Sequence, residues 1–130
     1  MHQEPLKPHK YPVCVILFVI AIIACTVYAM MLLPKYMEAS KNLVLGMKAY
    51  REKDYQKSIS LIEATLQSVP SSKEAKIAIA KTYFGTKNDA QKGLFYLNGI
   101  TLNKSEWEEI KAVMPIEYQK YFRPKYGKKL

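Results

Sequence analysis

Cysteine occurs only as Cys14 and Cys25, and histidine only as His2 and His9. Everything after residue 25 therefore lacks thiol and imidazole. That excludes a disulfide framework and a thiolate zinc site there. It also removes the side chain best suited to proton transfer near neutral pH. The five glycines form no phosphate-cradling loop, and no nucleophile elbow occurs. No stretch alternates apolar and polar residues over the length of a strand. Glu106, Glu108 and Glu109 cluster near a helix start, where favourable dipole charge accounts for them. An enzyme is not expected: no catalytic residue, metal site, cofactor or small-molecule ligand is indicated.

What is present begins with an apolar run. Residues 13–33 carry no charge and are bracketed by Pro12 and Pro34. At ~1.5 Å per residue a helix of this length spans roughly 31 Å, close to a bilayer core. A single transmembrane helix acting as an uncleaved signal anchor is the working expectation. Two other readings stay open. Lys7 and Lys10 with Val27-Tyr28-Ala29 resemble a cleavable signal peptide, although Met30-Met31-Leu32-Leu33 prolongs the apolar run. Ile22-Ile23-Ala24-Cys25 resembles a loose lipoprotein box, which would lipidate Cys25, but apolar residues follow it.

Topology is weakly marked, with Lys7 and Lys10 before the span and Lys35, Lys41 and Lys48 after it. The short tail, single span and longer domain match a bacterial inner-membrane layout with the domain in the periplasm. A cytosolic domain is the alternative. The expected divisions are an N-terminal tail (1–12), the span (13–33), a juxtamembrane segment (34–42), a helical domain (43–122) and a basic tail (123–130).

From Lys35 onward 18 Lys and Arg face 10 Asp and Glu, a formal +8, yet apolar residues suffice for a core. They recur at helical spacing: Leu43, Met47, Tyr50; Ile59, Ile62, Leu66, Val69; Ala75, Ile79, Tyr83; Leu94, Leu97, Ile100. Asp54 can cap a helix starting at Tyr55, and Pro70 ends that helix near Val69. Ser71 or Ser72 caps the next. A turn falls at Gly85-Thr86-Lys87-Asn88-Asp89, and Ser105 with Glu108 forms a capping box. Pro115 can open a last short helix carrying Tyr118, Tyr121 and Phe122. The spacing predicts an all-α fold with helices over 36–52, 55–68, 73–84, 90–101, 105–113 and 115–122. The first is able to continue from the membrane helix through a kink at Pro34.

The stretch LGMKAYREKDYQKSISLIEATLQSVPSS, residues 45–72, resembles a tetratricopeptide repeat (TPR), a helix–turn–helix unit of about 34 residues. Leu45-Gly46 matches its Leu-Gly pair, and Ala49-Tyr50 the residues before the turn. Lys53-Asp54-Tyr55 matches Gly-Asp-Tyr with Lys53 replacing Gly. Ser58 and Thr65 take small positions, Ile62 the large apolar one, and Pro70 the closing proline. Small side chains at Gly46 and Ser58 are expected to let two helices approach. A second, looser unit aligns Ile79-Ala80 and Tyr83, then, after one extra turn residue, Gly93, Leu97 and Ile100. Its closing proline is missing. Residues 105–122, with Trp107 and the aromatics Tyr118, Tyr121 and Phe122, suit a cap over the exposed end of the array.

The resemblance implies a groove lined by the first helix of each unit. Carried over, the partner-binding positions are Leu43, Met47, Tyr50, Arg51, Ile77, Lys81 and Phe84. Lys81 and Arg51 could grip a carboxylate. The expected function is a membrane-anchored interaction module, docking a partner's peptide or helix as an accessory subunit of a secretion, export or chaperone assembly. One alternative is a fixed structural subunit without an exchangeable ligand. Another is a basic lipid-surface or nucleic-acid binder using residues 120–130. Nucleic acid is the least favoured, since no basic stripe follows one helix face.

Overall fold

The computed structural model describes residues 12–86, 89–120 and 122, and the backbone of 125–126. His2, His9, Lys7, Lys10, Lys87, Asn88, Tyr121 and the side chains of the basic tail lie outside the described residues. The chain divides into two compact units, Met1–Pro34 and Lys35–Leu130. Helix α1, Val13–Arg51, contains Pro34, which cannot donate a backbone hydrogen bond.

In the first unit α1 presents apolar side chains all round, among them Leu17, Phe18, Val27 and Met30. The Thr26 hydroxyl donates to the Ile22 carbonyl at 2.8 Å, which satisfies that group inside the helix. Among the described residues α1 is the one helix long and apolar enough to cross a membrane.

The second unit is built from the end of α1, then α2 (Tyr55–Ser68), α3 (Lys73–Gly85), α4 (Ala90–Leu97), α5 (Lys104–Val113) and α6 (Ile116–Gln119). Asp54 caps α2 by accepting the Lys57 N–H at 3.2 Å. The Val69 N–H bonds to the Thr65 carbonyl at 2.8 Å and closes α2 before Pro70. Ser72 caps α3, accepting the Ala75 N–H at 3.2 Å.

Three boundaries differ from the sequence expectation. Helix α4 stops at Leu97 rather than 101, because Gly99 turns the chain through the left-handed region (φ 80°), a common helix exit. Thr101–Leu102 is thereby freed as a short strand, β1, paired in parallel with β2, Lys125–Tyr126. Among the described residues the regular structure is helical apart from this bridge. Helix α5 takes its capping box from Asn103 and Glu106, not Ser105 and Glu108. The Asn103 side chain accepts the Glu106 N–H at 2.7 Å, and Glu106 accepts the Asn103 N–H at 2.8 Å. Asparagine is as good a cap as serine, and the extended Leu102 delivers it first. Helix α6 is a single turn that Pro115 precedes as N-cap.

Helix α3 is the hub. Its Ile79 packs in one cluster with Ile62, Ala75 and Tyr83. Its Ala80 and Phe84 pack in another with Leu97, Trp107 and Ile110. Tyr118 and Phe122 lie against this second cluster, with the Trp107 and Phe122 rings 5.6 Å apart.

Glycines set the closest approaches. A Cβ on Gly46 would stand 2.7 Å from Ile62 Cγ1, and one on Gly93 would stand 2.7 Å from the Phe84 ring and 3.0 Å from the Ala80 carbonyl oxygen. Buried Ser58 turns instead to α3, its hydroxyl 3.1 Å from that of Thr82. The Thr82 proton is directed to the Ala78 carbonyl at 2.9 Å, so Ser58 donates. The Thr65 hydroxyl is shared between the Ala39 carbonyl of α1 and the Leu61 carbonyl of its own helix, each at 3.1 Å. Tyr83 is buried and donates to Glu63 at 3.0 Å. Leu45 is a correction: expected to pack inside, it is 40% exposed, because no helix covers that face of α1 among the described residues.

Candidate functional site

Each turn of a helix buried on one side leaves side chains flanking the contact line. On α1 those are Leu43 and Met47, and on α3 Ile77 and Lys81. These four line one concavity of about 220 Å³, closed at its far side by Glu106 and Glu109 of α5, with Glu74 and Ala78 completing it. Leu43 and Ile77 are 34 positions apart, as are Met47 and Lys81. A second hollow of about 160 Å³ adjoins, sharing Leu43 and Glu74 and adding Tyr36, Ala39, Ser40, Thr65, Val69 and Ser72. The two form a trough with an apolar floor. Small-molecule sites run to roughly 300–1,000 Å³ and enclose their ligand, so the dimensions suit one or two side chains of a passing segment better.

Of the positions carried over from the repeat resemblance, Leu43, Met47, Ile77 and Lys81 come together here. Tyr50 stands beside them, half-buried, with the Lys81 ammonium 5.9 Å from its ring centre. Burial, with the neighbouring Tyr55, raises the pKa of its hydroxyl. Arg51 is exposed at the end of α1 and lines neither hollow. Phe84 must be withdrawn from the groove: it is 3% exposed and fills the core against Gly93. Its ring is the volume that makes a glycine necessary on α4.

Sequence reasoning missed the carboxylates. Lys81 is not free to grip a partner's acid, because its ammonium already lies 3.4 Å from Glu109. Glu106 pairs with Lys73 at 2.7 Å. Burial alone would raise the Glu106 pKa, but the Lys73 ammonium and the Asn103 N–H together hold it below the ordinary value. Glu74, where the two hollows meet, has no ion-pair partner within 4.0 Å among the described residues. The spacing of Glu106 and Glu109 places them on one helical face. Only the docking of α5 on α3 shows that this face closes the trough.

Comparison with protein-family models, with characterised proteins and with solved structures finds no match to this chain.

Proposed function

We propose that the chain is a membrane-anchored docking module of tetratricopeptide type, and that a segment of a partner protein occupies the trough between α1, α3 and α5. The observation that carries this reading is the pairing of Leu43 with Ile77 and of Met47 with Lys81, one unit length apart, along a single hollow. An array of helix pairs generates such lining from equivalent positions of successive units. The unbroken apolar run of residues 13–33 supplies the anchor, and the favoured setting is a bacterial inner membrane with the domain in the periplasm. The protein acts as an accessory subunit and performs no chemistry of its own. A photo-crosslinker at Met47, in the full chain in native membranes, tests this. It should capture a discrete partner that Leu43→Gln no longer binds, while exchange of residues 13–33 for an unrelated span leaves capture intact. Capture indifferent to Leu43 would overturn the reading.

A second reading, a fixed structural subunit, is favoured by a different observation. Met37 and Val44 are 64% and 66% exposed on the outer face of α1. With Leu45 they line a depression of about 420 Å³. Under this reading Val44→Lys releases the protein from its complex and changes at the trough do not.

A further inference from the structure

We propose that the segment seated in the trough carries an apolar anchor flanked by lysine or arginine. This rests on the docking reading above and adds the partner's chemistry. The domain as a whole is basic, with 18 Lys and Arg against 10 Asp and Glu from residue 35 onward. The trough inverts that balance. Three of those ten carboxylates, Glu74, Glu106 and Glu109, line the larger hollow against one lysine. That lysine is already engaged by Glu109 at 3.4 Å and by the face of Tyr50. Lys73 answers Glu106, which leaves a carboxylate in surplus, and Glu74 is the one without a counter-ion among the described residues.

Magnitudes decide between the basic whole and the acidic trough. At physiological salt, charges beyond about 8 Å are largely screened, so the positive charge elsewhere on the domain acts on approach only weakly. Within the trough the nearest groups govern which sequence fits. A Lys or Arg stem lies along an apolar floor such as Leu43 and Met47 while its charged head reaches the rim. An acidic segment would instead set its carboxylates against Glu74 with Lys81 already occupied. Rim charges of this kind set selectivity and salt dependence more than raw affinity, and the apolar floor supplies the remainder.

The test uses the full chain in phosphatidylcholine nanodiscs, which carry no net charge to attract basic peptides. A random peptide library is selected on it, and peptides still retained by Met47→Asp are discarded. Leu43→Gln serves the same purpose should Met47→Asp alter Trp107 emission. The expected result is enrichment of Lys and Arg by at least about threefold beside a large apolar residue. The same peptides should lose about tenfold in affinity to the Glu74→Lys, Glu109→Lys double variant, and more of it at low salt than at high. Floor-dependent peptides that are neutral or acidic would overturn this inference and leave the docking reading standing. Absence of any peptide sensitive to Met47 or Leu43 would overturn both.

Discussion

The two helix pairs of the second unit solve one packing problem in opposite ways. In the α1–α2 pair the glycine is on the first helix, and Gly46 receives the Ile62 side chain. In the α3–α4 pair it is on the second helix, and Gly93 receives the Phe84 ring. The first pair adds a hydroxyl-to-carbonyl tie, Thr65 to Ala39, whereas the second is closed by Leu97, Trp107 and other apolar groups. Close approach needs one missing side chain at the crossing, and which helix omits it is free. What distinguishes the pairs is their cover. Ile79 of α3 is flanked by both neighbours and fully buried, while its counterpart Leu45, 34 positions earlier, faces outward at 40% exposure.

That contrast sets the largest predicted effect. Ile79→Ala should lower stability by about 2–5 kcal/mol, the usual loss for a buried large-to-Ala change with its cavity. Leu45→Ala should stay within about 0.5 kcal/mol. Both are measured by denaturant unfolding of the full chain in detergent. Emission of Trp107, the single tryptophan, reports on the helical domain. Equal losses at the two positions would mean that the outer face of α1 is covered after all.

The glycines come next. Gly93→Ala places a methyl 3.0 Å from a backbone oxygen and 2.7 Å from the buried Phe84 ring. A net loss of about 1–2 kcal/mol is expected after the gain of up to ~1 kcal/mol in helix propensity. Gly46→Ala meets no backbone atom, but its methyl stands 2.7 Å from Cγ1 of the fully buried, β-branched Ile62, which must leave its rotamer or shift with α2. Its net effect should be about 1 kcal/mol or less. The same unfolding assay ranks them, and the reverse order would break the argument that backbone contact is the harder constraint.

The starts of α2 and α3 and the end of α2 were legible in the sequence, because Asp54, Ser72 and Pro70 act locally. The lining of the trough follows the 34-residue spacing, Leu43 with Ile77 and Met47 with Lys81, whereas the crossing glycines do not repeat at it and Ser58 faces α3. What stayed hidden depended on which faces meet. Phe84 shares the helical spacing of a groove residue, but it lies across from Gly93 and is consumed by the core. Glu106 and Glu109 read as helix-start charge until α5 is docked on α3. The end of α4 was legible in principle, as Asn98-Gly99 is a common helix exit, though the periodicity through Ile100 concealed it.

A smaller effect, of opposite sign, concerns the link inside the first pair. Lys53 adopts φ 62°, a left-handed conformation that side chains resist and glycine accepts freely. Lys53→Gly should stabilise the domain by about 0.5–1 kcal/mol, after allowance for the greater freedom of glycine in the unfolded chain. A rise in the denaturant midpoint checks this, and a fall would show that the Lys53 side chain makes a contact worth more than the strain.

The smallest effect concerns acid. Glu106 links α5 to Lys73 at the start of α3 and caps α5, and its folded pKa lies below the ordinary 4.5. A carboxylate held below its unfolded value contributes stability that is complete above that value and is lost as pH falls through the folded one. Glu106→Gln keeps an acceptor for the Asn103 N–H but removes the charge facing Lys73. At pH 7 the variant should melt slightly below the wild type. The gap should narrow as pH drops below about 4.5 and vanish once Glu106 is protonated. Lys73 is 41% exposed, which screens the pair and keeps the gap small. A gap that held constant down to pH 3 would assign the loss to the cap rather than to the charge. The α3–α5 closure of the trough would then owe nothing to this ion pair.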